Sequence, residues 1–448
     1  MSRRTLMWSA VFVALLFAGR GGDGVRAETL DEALERTYRE NPRLVAGRAQ
    51  LRAVDETVPQ ALSGYRPTIT VDNEVLSRDV ETDRTEYDGS TASTALNLRQ
   101  SIYSGGGTTA NVAAAEETVR AQRAILVSLE QDVLLDVVDA YTSTWRDRSV
   151  LELAQTNRGR IARQLEATRD RFRVGDVART DVAQAEARLA RAESDIEQAR
   201  ADLSASEAFY RDVVGEKPGA LDEPKVLEAL PSTVDAAHEL ARSNPLVLAS
   251  EYLVRNSRYR IDAAGANLLP SLDLTGQLAY ADDPSAGVSW QKRAAVGLQL
   301  NVPLYQGGRV YSEVRQSRQT LKQRQSELET SVRSVQRFVS AAWDRLAAAR
   351  AAIVAIESQV RANRIALNGV QEEASVGQRT VLDVLDAEQE LFQSQTDLVR
   401  AVSIEVIASY ELKSSVGQLT VAGLALNVVP FDPRSYYDQQ RNRLFGTD

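Results

Sequence analysis

The sequence predicts a mainly α chain with membrane β-strands, built as two copies of one plan. Three observations predict it. The 12 prolines are unevenly placed, with none between Pro67 and Pro218 and none between Pro303 and Pro430. An interior proline costs a helix about 3 kcal/mol, so stretches this long without one favour long helices. Four short segments alternate apolar and polar residues with the period of a strand. The two halves also share one register over most of their length, and a repeat governs the reading of everything else.

The chain begins with a signal-peptide pattern. Arg3 and Arg4 form a basic start, Leu6 to Ala18 is apolar apart from Ser9, and Val25-Arg26-Ala27 supplies a small-residue cleavage site. Residues 1–27 are therefore expected to be removed, leaving Glu28 first. Thirteen apolar residues are too few for a membrane anchor. Ser2-Arg3-Arg4 leaves a twin-arginine signal open, although that motif is incomplete. Cleavage deletes four Arg and one Asp and takes the net charge from −9 to −12.

The first repeat spans residues 28–214 and the second 232–418. Asn41-Pro42 and Tyr65-Arg66-Pro67 correspond to Asn244-Pro245 and Leu269-Pro270 at an offset of 203 residues. Tyr103-Ser104-Gly105-Gly106 corresponds to Tyr305-Gln306-Gly307-Gly308 at 202, and Val174-Gly175 and Asp181 to Val376-Gly377 and Asp383 at the same 202. Between the repeats, residues 215–231 hold three prolines and two glycines and read as a linker. Residues 419–448 form a C-terminal segment.

Each repeat opens on a helix and continues into two strands. The first pair is expected at 68–78 and 94–103, the second at 271–280 and 294–303. Ile69, Val71 and Val75 alternate with Thr70, Asp72 and Glu74, and Val296, Leu298 and Leu300 with Gly297, Gln299 and Asn301. A half-buried soluble sheet gives the same alternation. A membrane sheet is favoured by lengths of about ten residues. Aromatic residues at the segment ends, among them Tyr65, Tyr103, Tyr280 and Trp290, suit an interfacial girdle. The polar stretches 79–93 and 281–290 read as extracellular loops. Four strands cannot close a barrel, which needs about eight. An open edge is not tolerated in lipid, so strands that enter a bilayer require an oligomer.

Residues 108–172 and 309–374 then read as helices of about 100 Å each, at 1.5 Å per residue. Val119, Leu126, Val133 and Ala140 recur every seven residues, as do Ile353, Val360 and Leu367. Seven-residue spacing means coiled-coil packing. Each helix turns at a glycine, near 175 or near 377, and a second helix returns. A solid coiled coil and the wall of a hollow tube fit the heptads equally well.

The second turn reads Val376-Gly377-Gln378-Arg379-Thr380-Val381-Leu382-Asp383-Val384-Leu385-Asp386. Asp383 and Asp386 are three apart and share a helix face. In a ring of copies they would stack as two carboxylate rings, which attract cations. Alternatively, Thr380 caps the helix and Asp383 serves its first turn. Asp181, after Arg179-Thr180 in the first turn, could pair with Arg379 of a neighbouring hairpin or remain a solvated charge.

Composition excludes much. With no cysteine there are no disulfides and no thiolate metal sites. His238 is the single histidine, and its repeat counterpart is Glu35, which marks an ordinary helical position. The acidic balance, without a basic run, argues against a nucleic-acid partner. No phosphate loop, nucleophile elbow or metal cluster supports an enzyme, and no cofactor is expected. A lumen-free structural coiled coil would account for the helices but not for the strands joined to them.

The Asn-Pro pairs, Tyr-x-Gly-Gly before each long helix, and Val-Gly-x-Arg-Thr-x-x-Asp-Val-Leu-Asp at the second turn resemble the TolC family of outer-membrane efflux and secretion ducts. The resemblance covers nearly the whole mature chain. It implies a homotrimer in the outer membrane, with a twelve-stranded β-barrel and a long periplasmic α-barrel of helical hairpins. Its partners would be a periplasmic adaptor protein and an inner-membrane transporter of ABC or RND type. Asp383 and Asp386 would be the pore constriction, and Thr180, Asp181 and Arg379 part of the network closing the tip. Many members carry Tyr three residues before the tip glycine; here that residue is Ala374, which implies a weaker or different lock. The C-terminal stretch from Phe431-Asp432-Pro433 to Leu444-Phe445-Gly446 looks like the subgroup serving type I protein secretion, with multidrug efflux as the alternative.

Overall fold

A computed structural model describes residues 27–84, 86–285 and 287–447. The expected signal peptide lies outside the described residues, apart from Ala27. The first half runs α1 (Leu30–Glu40), α2 (Pro42–Asp55), α3 (Thr57–Leu62), β1 (Thr68–Glu81), β2 (Glu86–Ser104), α4 (Gly107–Arg173) and α5 (Arg179–Val214). The second runs α6 (Val234–Leu240), α7 (Pro245–Ala266), β3 (Ser271–Ser285), β4 (Val288–Asn301), α8 (Arg309–Ser375) and α9 (Val381–Ser415), and α10 (Ser435–Gln440) follows.

The repeated motifs do repeated work. Asn41 caps α2 through the Arg43 N–H, with Pro42 in the first turn, and its Nδ2 donates to the Val213 carbonyl at 2.9 Å. Asn244 caps α7 through the Leu246 N–H and donates to the Ser415 carbonyl at 2.9 Å. Each Asn thus ties the start of a short helix to the end of its own hairpin, and proline fits there because that N–H has no helical partner. The Gly-Gly pairs bend strand into helix. Gly106 and Gly308 cap α4 and α8 at φ +85° and +81°, a conformation that a Cβ disfavours.

The sheet is an antiparallel meander in the order β1-β2-β3-β4, with β1 and β4 as open edges. Register puts Ile69 and Val71 opposite Leu98 and Leu96, Leu96 opposite Leu278, and Leu274 and Leu272 opposite Leu298 and Leu300. This apolar face is uncovered: Val75 is 78% exposed and Val296 83%. The other face is a polar ladder. Asn97 Nδ2 donates to Asp72 at 2.6 Å, Gln277 Nε2 to Asn97 at 3.0 Å, and Arg99 pairs with Asp273 at 2.8 Å. A sheet with its apolar side bare and its polar side internally bonded has the polarity of a barrel in lipid.

The strands outrun the expected bounds. Pairing continues through Ser77–Ser90, Arg78–Gly89 and Asp79–Asp88, and β3 and β4 pair on to Asp282–Trp290. Stretches 79–93 and 281–290 are therefore mostly strand rather than loop. Backbone pairing needs no apolar side chains, so the ladder extends past the alternation that marked it.

Below the sheet, α4 lies at the centre, against α5, α7 and α9. Val119, Val133 and Ala140 of its heptad are buried. The main core gathers Tyr141, Val137, Leu134, Tyr210, Leu34 and Val406. Leu221, Val226 and Leu227 of the linker pack on it, and Tyr141 Oη donates to the Glu28 and Asp222 carbonyls at 2.6 and 2.9 Å. In contrast α8, at the edge, leaves Val354 and Ile365 65% and 73% exposed. Among the described residues no helix is long and apolar enough to cross a membrane.

Candidate pore constriction at the hairpin tips

Both hairpins turn by the same backbone device. Gly175 and Gly377 sit at φ +81° and +82°, and the residue after each donates back to the helix, Asp176 to the Arg171 carbonyl and Gln378 to the Glu373 carbonyl, both at 2.9 Å. That bond, to the carbonyl five residues earlier, closes the last turn with the glycine in the left-handed conformation. Three apolar residues of the first hairpin, Ile161, Leu165 and Ala185, pack with Val381 and Leu385 of α9 and hold the tips side by side.

At the second tip Thr380 caps α9. Its hydroxyl accepts from the Asp383 N–H at 3.2 Å, while the Asp383 carboxylate accepts from the Thr380 N–H at 2.9 Å and from its hydroxyl at 2.8 Å. The backbone N–H foremost, then the hydroxyl, holds the Asp383 carboxyl below the usual carboxylate range. Asp383 therefore serves the helix start, as the capping alternative expects. Capping leaves its position in a pore open.

Asp386 is exposed one turn further on, and it is paired: Arg188 Nη2 of α5 lies 2.6 Å from its carboxylate. Val381, Val384 and Leu385 take the buried side of the same helix. Arg379 pairs with Glu373 of its own tip at 2.7 Å. That bond, with the charge of Glu373 behind it, raises the guanidinium above its ordinary range. Asp181 accepts from the Ala178 N–H at 3.1 Å, without the hydroxyl half of the capping pair. Within one chain the structure thus brings Arg379 to Glu373 and not to Asp181. Thr180 is exposed, with no side-chain hydrogen bond among the described residues. Ala374 is buried, at 8% exposure.

Sequence reading missed Arg188, Glu373 and Glu388. The repeat could have pointed to Arg188, because Gln184, the counterpart of Asp386, lies one turn before it. Glu388 is 5% exposed and accepts from Arg160 at 3.4 Å and Gln371 at 3.0 Å; burial pushes its carboxyl up. Among the described residues no cluster of acids or His could hold a metal ion.

The sequence matches the family described as outer membrane efflux protein at residues 32–216 and 236–418. It is similar to the outer membrane efflux protein BepC of Brucella suis, at 37% identity over 97% of this chain and 96% of that protein. It is also similar to the outer membrane protein TolC of Escherichia coli, at 28% identity over 90% of this chain and 85% of the other. Its fold matches that of the Campylobacter jejuni CmeC outer membrane channel with a TM-score of 0.80, at 14% identity, over 98% of both chains. The two matched segments fall one on each hairpin-bearing half, and together they take in both tips and all four strands. The chain therefore belongs to the outer membrane efflux protein family, of TolC-like passive outer-membrane channels that are not enzymes.

Proposed function

We propose that this chain is one subunit of the exit duct of a tripartite export system. It carries substrate passively from an inner-membrane pump across the periplasm and the outer membrane. The observation that carries this reading is the open four-stranded sheet, bare on its apolar face, continuous through Gly-Gly bends with two helices of about 100 Å. Two free edges and an uncovered α8 call for copies around an axis. Three copies supply twelve strands, above the minimum of about eight for a membrane barrel. The partners are then a periplasmic adaptor and an inner-membrane transporter, which supplies the energy.

Asp383 and Asp386 form the constriction in this reading, two acidic levels at the inner mouth. Thr180, Asp181 and Arg379 belong to the contacts between neighbouring tips. For cargo, the C-terminal segment favours protein carried by type I secretion. Small-molecule efflux is the second reading; the similar Brucella protein is named for efflux.

Single-channel conductance of the purified protein in a planar bilayer tests the duct, with Asp383→Ala/Asp386→Ala beside the wild type. Small cation-selective steps that lose selectivity in the variant are expected. Steps of the same selectivity in both would keep the duct and remove the acids from the lumen. Export of a protein cargo against that of a small drug, in a strain lacking the gene, separates the two cargo readings.

A further inference from the structure

The C-terminal segment lies back over α2 and α4 and lines, with α7, an open cavity of about 390 Å³. Its charged lining is one-sided: Arg48, Arg120, Arg123 and Arg434 against the single carboxylate Glu130. A second chamber, of about 320 Å³, shares three of these arginines and adds Arg441 together with the carboxylates Glu116 and Asp438. Like charges drawn together around a cavity repel one another unless counter-charge is present.

The counter-charge on hand is incomplete. Arg120 is served by Glu117 and Glu116. Arg48 donates to the Tyr38 carbonyl at 2.9 Å and lies over the rings of Tyr38 and Phe431, which supports it as a cation without neutralising it. The Nε and Nη2 of Arg123 are buried with no hydrogen-bond partner. The nearest acid to Arg123 is Asp55, at 4.0 Å; it is 1% exposed, and both its oxygens are unbonded. Burial pushes the Asp55 carboxyl up to about 6, against the pull of the Arg123 charge, and at 4.0 Å it lies beyond hydrogen-bond reach of that guanidinium. Arg434 has its backbone N–H on Asp432, and its guanidinium has no partner among the described residues. Glu130 is itself pushed up by burial and accepts from the Val421 N–H at 2.8 Å.

We propose that this cavity is a binding site for a small, multiply charged oxyanion, held by the guanidiniums of Arg48, Arg123 and Arg434. A phosphate group or a polycarboxylate offers acceptors in the number and geometry that such forks require. The occupant joins α2 and α4 to the C-terminal segment, whose other ties include the Phe431 N–H to Tyr38 Oη at 2.9 Å, Tyr436 Oη to Glu56 at 2.7 Å and Arg441 to Glu116 at 3.1 Å. The site lies in the helical body, away from the strands and the tips, and does not depend on conduction.

The test is isothermal titration of the full-length protein in detergent, free of phosphate, with inorganic phosphate and with citrate at matched ionic strength. Wild type is compared with Arg434→Gln and Arg434→Lys. Position 434 is exposed and its guanidinium unbonded, so neither variant threatens the fold. Saturable binding at one site per chain is expected, weakened about tenfold by Arg434→Gln, equivalent to ~1.4 kcal/mol, and less by Arg434→Lys. Binding of phosphate alone identifies a phosphate-type ligand, and binding of citrate alone a carboxylate one; either supports the site. No saturable heat from either anion, or equal affinity in wild type and Arg434→Gln, overturns it. Thermal stabilisation that is the same in all three proteins also counts against it, because phosphate and citrate stabilise proteins generally by exclusion from their surfaces.

Discussion

The two hairpin tips share a backbone and differ in chemistry. Each has glycine in the left-handed conformation, at φ +81° and +82°, and a carboxylate three residues into the return helix that accepts from the capping N–H. Around that common turn the side chains part. Arg171, Val177, Ala178 and Gln184 of the first tip stand where the second has Glu373, Arg379, Thr380 and Asp386. The first tip keeps a turn and half a cap. The second adds a full cap, an ion pair across the turn from Arg379 to Glu373 and an acid tied to the other hairpin. Geometry that every hairpin needs is held in both copies, while the charged positions around it differ.

The strongest test reverses charge at each tip in turn. Asp383→Arg/Asp386→Arg should lower the cation-over-anion permeability ratio by about tenfold or more, each tenfold being ~1.4 kcal/mol. Asp181→Arg in the first tip should change it far less. Equal losses from the two tips would dissolve the distinction between them. Releasing Asp386 comes next. Arg188→Ala leaves that acid unpaired and cuts one tie between the hairpins, so cation preference should rise roughly two- to fivefold, the range of a partly exposed ion pair at ~0.5–1 kcal/mol. Channel recordings of Arg188→Ala and Arg188→Lys check it. A ratio unchanged in Arg188→Ala makes the pair a solvated contact without influence on the pore.

The shared parts of the molecule were the parts legible in the sequence. Asn41-Pro42 and Asn244-Pro245, the Gly-Gly bends and the tip glycines each depend on one residue type at one backbone position, so local rules find them. The heptads through Val119, Val133 and Val360 marked buried stripes for the same reason. The strand ends at Glu81 and Glu86 escaped because polar strand pairs as well as apolar strand does and leaves no periodic signal. Contacts between hairpins escaped too. Arg188 meets Asp386 only because α5 and α9 pack side by side, 198 residues apart in sequence. The seat of the C-terminal segment on Tyr38, Glu56 and Glu116 is of the same kind. Ala374 was legible as a departure, and its burial shows that the position has become part of the hairpin packing.

The smallest effects concern the caps, and they sharpen the comparison where charge cannot. Thr380→Ala removes the hydroxyl that the first tip never had and should cost the first turn of α9 ~1 kcal/mol, seen as about fivefold faster amide exchange there. The converse change, Ala178→Thr, should protect the first turn of α5 by a similar factor. A pH series separates the cap from its acid. The Asp383 carboxyl is depressed by bonds that exist only in the folded tip. Its contribution is therefore present above the unfolded carboxylate value of about 3.9 and is lost as pH falls through the lower, folded value. Exchange protection in the first turn of α9, corrected for intrinsic rates, should hold from pH 7 to about 4 and decline below it. In Asp383→Asn the decline should vanish, because no proton is left to bind. Persistence of the same acid-dependent loss in Asp383→Asn would assign it to another carboxylate, with Glu373 beside Arg379 the nearest, and the second tip would then owe its order to the ion pair more than to the cap.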